Sequence, residues 1–447
     1  MRRVTGEQTS ESRPLRPPHG STPSHPASDA AASARRRPSP GRQVARFDPF
    51  ELSDTVSGDV RDPYPIMREL RRQSAVHVGP VDLGAGAREP DPSRPRPVTV
   101  LGFDEVLEVL RDGETYSSSV YEGVVGMVMG RTILQMDEPE HRTHRMLVTP
   151  AFRSKMLERW EHGLVRRVVD ELLDELVDRG RADLVQELTF HFPVQVIAEI
   201  LGLPRSDFPA FQRWALEITS VSSNWERGMA ASAALRDYFA AVLAERRRRP
   251  ADDLISELAV AEIEGRRLED EEIFSFLRLL LPAGVETTYR ASGNLLYGLL
   301  THPDQLQAVQ ADRGLVVPAF EETLRWEPPV TMILRRATRP SELAGVPIEE
   351  GADVGLMLGA ANRDERRYPE PDRFDLFRKC RQNVGFGFGV HVCLGMHLAR
   401  METKVAVNAV LGRLADLRLD PGPGQDLHIR GLAFRSPIAL PVAFTPA

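Results

Sequence analysis

The chain has only two cysteines, Cys380 and Cys393, in 447 residues. Two cannot build a disulfide framework, nor supply the four thiolates of an iron–sulfur cluster. A reducing compartment, the cytoplasm, is therefore expected. No run of about 20 apolar residues exists, the length a helix needs to cross a bilayer, so no membrane span is expected. There is no internal repeat and no interdomain linker. Also missing is a strand, glycine loop and helix followed at the right distance by an acid, the pattern that holds a nicotinamide or flavin dinucleotide.

Charge is short on one side. The total is −7, yet residues 1–45 hold eight arginines against Glu7, Glu11 and Asp29, a net of +5 that leaves −12 for the rest. An acidic body argues against nucleic-acid binding. The basic leader carries seven prolines and seven serines and no apolar run, so residues 1–46 read as disordered. An Arg- and Ser-rich leader suits a transit peptide, but those form amphipathic helices, which these prolines spoil.

What is present is an ordinary globular composition, 42% hydrophobic and 27% charged. The expected folded domain spans residues 47–447. Val76-His77-Val78 and Pro97-Val98-Thr99-Val100-Leu101 read as strands. From about 104 to 310 the apolar period is mostly helical, as in Val168-Val169-Leu172-Leu173-Leu176 and Leu235-Tyr238-Phe239-Val242-Leu243. The longest such pattern, Asp270 to Leu300, predicts roughly 45 Å of helix. Pro282 inside it removes an amide and predicts a kink. Strand patterns follow Pro340, then a helix from about Leu394 to Leu414, then a β-like tail over residues 439–444. The fold class is mainly α with a minor β part (α+β), as a single large domain.

The most informative stretch is Phe386-Gly387-Phe388-Gly389-Val390-His391-Val392-Cys393-Leu394-Gly395. Its glycines permit a tight turn in which backbone amides point at one atom. Cys393 stands at the start of a helix, where unpaired N–H groups and the dipole favour a thiolate. Three other readings compete. Gly385, Gly387 and Gly389 imitate a dinucleotide loop, but the spacing and the later acid are missing. His391, Cys393 and His397 imitate zinc ligands, without a fourth. An inert cysteine in a structural turn would be the default if the loop stood alone.

It does not stand alone. The loop, with His397-Leu398-Ala399-Arg400 after it, resembles the haem-binding signature of the cytochrome P450 family in its soluble bacterial form. The resemblance implies that Cys393 is the axial ligand to the iron of haem b (iron protoporphyrin IX). Amides near Leu394, Gly395 and Met396 would soften the sulfur's charge, and Phe386 with Gly387 would cover that haem face. Ala283-Gly284-Val285-Glu286-Thr287-Thr288 looks like the family's oxygen-binding segment, although Pro282 departs from the pattern. Gly284 would let backbone approach a flat cofactor, and an acid beside an alcohol, Glu286 and Thr287, would relay protons into a closed pocket. Taken alone, Glu286 reads as solvent-facing and Thr287 as bonded back to its own helix. Glu322 and Arg325, spaced three apart, look like two members of a buried triad completed by Arg373. His141, Arg145, Arg335 and His391 look like partners of the haem propionates; each alone reads as a solvated residue.

The resemblance implies a monooxygenase using O2, an apolar small molecule and two electrons from outside. The donor would be a ferredoxin or flavodoxin with its reductase, docking near Arg378, Lys379 and Arg381. A monomer is expected. Apolar segments Val124 to Met129, Val330 to Leu334 and Ala433-Phe434 would line the pocket, with Met127 and Met129 as adaptable walls. That favours a bulky terpenoid, steroid, polyketide or fatty acyl substrate. The competing functions are a haem-thiolate sensor without turnover and a peroxide-driven oxygenase. The Glu–Thr pair counts against the first, and peroxide use would make that pair dispensable.

Overall fold

The computed structural model describes residues 58–83, 91–152, 154–222, 224–263, 265–379 and 382–447. The expected leader, Cys380 and Arg381 lie outside them. Helices dominate. Those that build the site are α1 (Glu140–Val148), α2 (Phe192–Ile200), α3 (Trp225–Arg248), α4 (Asp270–Leu281), α5 (Thr287–Thr301), α6 (Val316–Trp326) and α7 (Met396–Arg413). The strands of the two larger sheets are β1 (Val76–Val78), β2 (Val98–Val100), β3 (Tyr116–Ser117), β4 (Arg181–Asp183), β5 (Met332–Ala337), β6 (Asp353–Met357), β7 (Leu414–Leu419) and β8 (Pro441–Pro446).

Five strands form one sheet in the order β1-β2-β6-β5-β3. β2 runs antiparallel to β1, Val76 facing Val100, and parallel to β6, Val98 facing Val354. β7, β8 and β4 form a second sheet. Strand character starts at Met332, before Pro340 where the sequence suggested it. The period-two alternation along β5 explains the position: Arg335 is buried, while Arg336 next to it pairs with Asp353 at 2.7 Å on β6.

α4 starts on a reciprocal cap, the Glu269 side chain accepting from the backbone of Glu272 while Glu272 accepts from that of Glu269. The long helix does not run unbroken. Between α4 and α5 lies a wide π segment, Pro282–Glu286. Pro282 lacks an N–H and its ring crowds the carbonyl four residues back, so the α register cannot continue through it. The expected kink takes this form. α5 is buried nearly all round, by α6, α7 and the β7–β8 sheet, and the main core gathers there. Among the described residues no helix is long and apolar enough to cross a membrane.

Candidate active site

A cavity opens between the π segment with its flanking helices and the loop that leads into α7. Its walls are mostly apolar: Ile197 from α2, Phe276, Leu279 and Leu280 from α4, Ile333 from β5, and Leu358. Of the segments expected to line it, Val330 and Ile333 do. Residues 125–129 and 433–434 are not among the described lining, and Met127 is exposed.

The loop is folded as its glycines require. Gly387 (φ 73°) and Gly389 (φ 72°) adopt left-handed backbone. A Cβ on Gly389 would sit 2.4 Å from the Leu110 carbonyl, so only glycine lets the loop pass that helix. The Cys393 N–H donates to Phe386 O at 2.9 Å, tying the two ends of the turn. Cys393, Phe386, Gly387, His391 and Gly395 all line the cavity. Phe386 is held by the Arg400 guanidinium, 4.7 Å from its ring centre, and Arg400 is anchored to Glu321 at 2.6 Å.

The thiol differs from expectation in one respect. Burial pushes the Cys393 pKa up, against the Gly395 N–H that donates to it and the charges of Arg145 and Arg400. The helix start alone does not hold a thiolate here. A bound metal cation would, because coordination takes the deprotonated form.

Four donors converge on one side of the cavity, as expected: His141, Arg145, Arg335 and His391. Arg145 Nη2 donates to Val392 O at 2.6 Å and Arg335 Nη1 to Leu334 O at 2.7 Å. Neither guanidinium forms an ion pair with a described residue, and burial lowers both pKa values. His141 and His391 stack with ring centres 4.1 Å apart. Burial, then Arg335, His141 and Arg145, push the His391 pKa down to about 3. His391 Nε2 meets Ser118 Oγ at 3.0 Å; His141 Nδ1 meets Glu138 Oε1 at 3.1 Å, whereas its buried Nε2 has no partner among the described residues. Two buried guanidinium groups without an anion among the described residues, beside an orphaned nitrogen, fit a ligand bearing anionic arms. Apolar walls and a sulfur below them fit the body of a haem.

Ala283, Gly284 and Thr287 line the same cavity, but three expectations about this segment change. A Cβ on Gly284 would lie 3.1 Å from Ile197 Cδ1, so this glycine admits a neighbouring helix at the cavity edge. Thr287 Oγ1 donates to Ala283 O at 2.6 Å, the bond back to its own helix that the residue alone suggested. Glu286 does not face solvent. It is buried and accepts from Arg290 Nη2 at 2.9 Å, one helical turn on, and Arg290 also donates to Ser436 Oγ at 3.0 Å.

The expected triad is right in two members and wrong in the third. Arg325 Nε and Nη2 both reach Glu322 at 2.8 Å, with side chains 1% and 3% exposed. Arg373 points outward, 59% exposed, and contributes only its carbonyl to Arg325 and Arg378. The third member is Arg378, whose Nε lies 3.2 Å from Glu322. Asp375 accepts the Arg378 N–H at 3.0 Å, and that turn carries the side chain inward. Arg378 therefore leaves the expected docking patch, where Lys379 stays exposed.

Three functional candidates were missed. Tyr121 lines the cavity and its hydroxyl accepts the Leu334 N–H at 2.8 Å. Ser118 holds His391. Glu402, on α7, reaches the cavity wall while almost fully buried. None carries a sequence signal; a lone acid in a helical pattern reads as a solvent-facing residue.

The chain is similar to known proteins over most of its length. The Cytochrome P450 family profile matches residues 205–426. Cytochrome P450 107B1 of Saccharopolyspora erythraea is 39% identical over 306 residues, covering 68% of this chain and 74% of that protein. Erythromycin C-12 hydroxylase of the same organism is 38% identical over 337 residues, 72% and 83% of the two chains. The solved structure of cytochrome P450 CYP109Q5 from Chondromyces apiculatus superposes with a TM-score of 0.76 at 35% identity, covering 87% of this chain and 96% of that one.

Proposed function

The chain belongs to the cytochrome P450 family and is a haem-dependent monooxygenase, and on that premise we propose a role for each residue around the cavity. Cys393 would hold the iron of a haem b through its sulfur, with the Gly395 amide steadying that sulfur. Arg145, Arg335 and His141 would hold the two propionates, and His391 would order that corner through Ser118. The observation that carries this reading is a pair of buried guanidinium groups, Arg145 and Arg335, with no ion-pair partner among the described residues, beside an apolar cavity that Cys393 also lines.

When bound, thiolate-ligated haem iron supplies the reductive splitting of O2, one atom entering the substrate and the other leaving as water. The chain does the rest. Apolar walls strip water from the substrate and raise the strength of every polar contact inside. Thr287 keeps a hydroxyl at the wall; its hydrogen is given to Ala283 O, so it passes a proton to an oxygen in the cavity only on turning away from that carbonyl. Glu286 supplies that proton from a position fixed by Arg290, exchanging it through the Arg290 and Ser436 side.

The two electrons come from a separate redox protein. We assign that part to a ferredoxin or flavodoxin with its reductase, meeting the protein near exposed Lys379. The apolar wall suits a bulky terpenoid, steroid, polyketide or fatty acyl substrate, and the erythromycin hydroxylase among the relatives supports this size class. A cytoplasmic monomer, with the domain beginning near Phe47, completes the reading.

The test is spectroscopic. Reduced protein with CO should absorb near the wavelength that names the family, and Cys393→Ser should lose that band while keeping its fold by far-ultraviolet circular dichroism. Retention of the band in that variant would remove Cys393 from the iron.

A further inference from the structure

One short segment brings two hydroxyl groups to the corner where the unpaired guanidinium groups meet the cavity. Ser117 Oγ caps it by accepting the Ser119 N–H at 2.9 Å, and Ser118–Glu122 then winds as a 3-10 helix. Such a helix has three residues per turn, so side chains three apart stand one above the other. Ser118 and Tyr121 are related in this way. Ser118 Oγ meets His391 Nε2 at 3.0 Å, and Tyr121 lines the cavity together with Arg335 and His391.

The Tyr121 hydroxyl is only half used. Its oxygen accepts the Leu334 N–H at 2.8 Å, and no described residue accepts its hydrogen. The reason lies in β5. A strand residue turns its N–H and C=O to the same side, and β3 pairs with β5 only at Arg336 and Ala337. Leu334 lies beyond the reach of β3, so both of its backbone groups are left over on that edge. Tyr121 takes the N–H, and Arg335 Nη1 takes the C=O at 2.7 Å. The two side chains thus meet on one residue's backbone, and Arg335 is the charge that Tyr121 feels. Burial pushes the phenol's pKa up, so it keeps its hydrogen at neutral pH. Its oxygen is already an acceptor and its hydrogen is unclaimed, so what remains is one donor aimed at a group from outside the chain.

We propose that Tyr121 is a haem anchor, its hydroxyl donating to a propionate carboxylate whose charge Arg335 matches. This rests on reading the cavity as the haem site, and concerns a residue outside the four donors already assigned to that corner. The two groups divide the work. A guanidinium supplies charge and offers several N–H groups, whereas a phenol has one O–H and so fixes one line to its acceptor. With Ser118 on His391 and Tyr121 on the propionate, a single turn of chain joins the cysteine loop, β5 and the cofactor.

Tyr121→Phe removes the hydroxyl and keeps the ring. Haem should pass from the ferric, substrate-free variant to a haem-free acceptor protein on the order of tenfold faster than from wild type, as for losing one hydrogen bond to a charged group. With haem isotopically labelled at its propionate carboxyls, one labelled carboxylate stretch should move in infrared difference spectra of the variant. A ring-fluorinated tyrosine at position 121, a stronger donor of nearly the same shape, should slow the transfer instead, and serves if Tyr121→Phe does not accumulate. Unchanged transfer with unmoved bands overturns the proposal. So does weaker substrate binding with haem held normally, which would give the hydroxyl to the substrate. Equal losses of urea stability in the haem-loaded and haem-free variant, with transfer unchanged, would make Tyr121 a support for Leu334 and overturn it too. Wild type that takes up no haem and shows no band with CO would sink the reading of the cavity and the proposal with it.

Discussion

Behind the cysteine loop and at the cavity wall lie two buried clusters of positive charge, and only one of them is finished. Glu322 accepts from Arg325 through both oxygens, from Arg378 at 3.2 Å and from the Asp375 N–H at 2.9 Å. The donors left over on Arg325 go to the carbonyls of Asn362, Pro371 and Arg373. The chain closes that network by itself. At the wall, Arg145 and Arg335 find only backbone carbonyls, and His141 Nε2 finds nothing. The first cluster therefore belongs to folding, and the second belongs to whatever anion arrives later.

The largest expected effect breaks the closed cluster. Glu322→Ala leaves two buried guanidinium groups without their anion and should cost about 3–5 kcal/mol in urea unfolding, with little haem-loaded protein recovered. Arg373→Ala should stay within about 0.5 kcal/mol, since its side chain is at the surface and its carbonyl survives. Equal losses in Arg373→Ala and Arg378→Ala would dissolve the distinction between them.

The open cluster should answer with the opposite sign. Arg335→Met removes a buried charge that has no partner in the chain, so the haem-free protein should unfold at the same or higher urea concentration. Haem should meanwhile leave faster, by roughly 10–100-fold, as expected for losing about 1.5–3 kcal/mol of charged hydrogen bonding. Transfer to a haem-free acceptor protein measures that rate. A variant that loses stability without haem and keeps haem normally would make Arg335 another folding residue.

The smallest effect is in pH. Burial holds the His141 pKa below its ordinary 6.5, so the fold carries fewer protons than the unfolded chain just under that value. This contribution to stability is complete above pH 6.5 and is lost as pH falls below it, by at most about 1.4 kcal/mol per pH unit. Melting of the haem-free protein should show this slope, to which His391 adds its own, and His141→Phe should reduce it without abolishing it. The haem-loaded protein should show less, because propionates give the protonated ring a partner.

These clusters also show where the sequence was readable. Cys393 and its glycines are contiguous, and one turn of backbone fixes them, so the residues spell out their own geometry. Glu322 and Arg325 are one helical turn apart and were equally plain. Arg373 and Arg378 could not be told apart, since either is near enough along the chain and only the turn at Asp375 decides which enters. Arg335 and Arg336 pose the same problem on a strand, where one step of register exchanges cavity for surface. The strands were found where apolar residues alternate, at Val76–Val78 and Val98–Val100, and after Pro340, at Ser341–Leu343, Val346–Ile348 and Asp353–Met357; β5 was missed, where arginines occupy both faces. Glu402 was invisible for a different reason. α7 packs against α5, α6 and the helix Arg166–Asp174, and Glu402 lies on the packed side while Lys404, two residues on, is exposed.

The π segment has a consequence for counting. A wide turn holds one residue more than an α turn, so every side chain from Thr287 onward is rotated by about 100° from where an unbroken helix would put it. The chain between Asp270 and Thr301 thus behaves like a ruler with one extra mark. Deleting Pro282 would let the helix run straight and swing Thr288, Ser292 and Asn294 off their present neighbours together. Substitutions along this helix are tolerated or refused one position at a time; its length is constrained as a whole number.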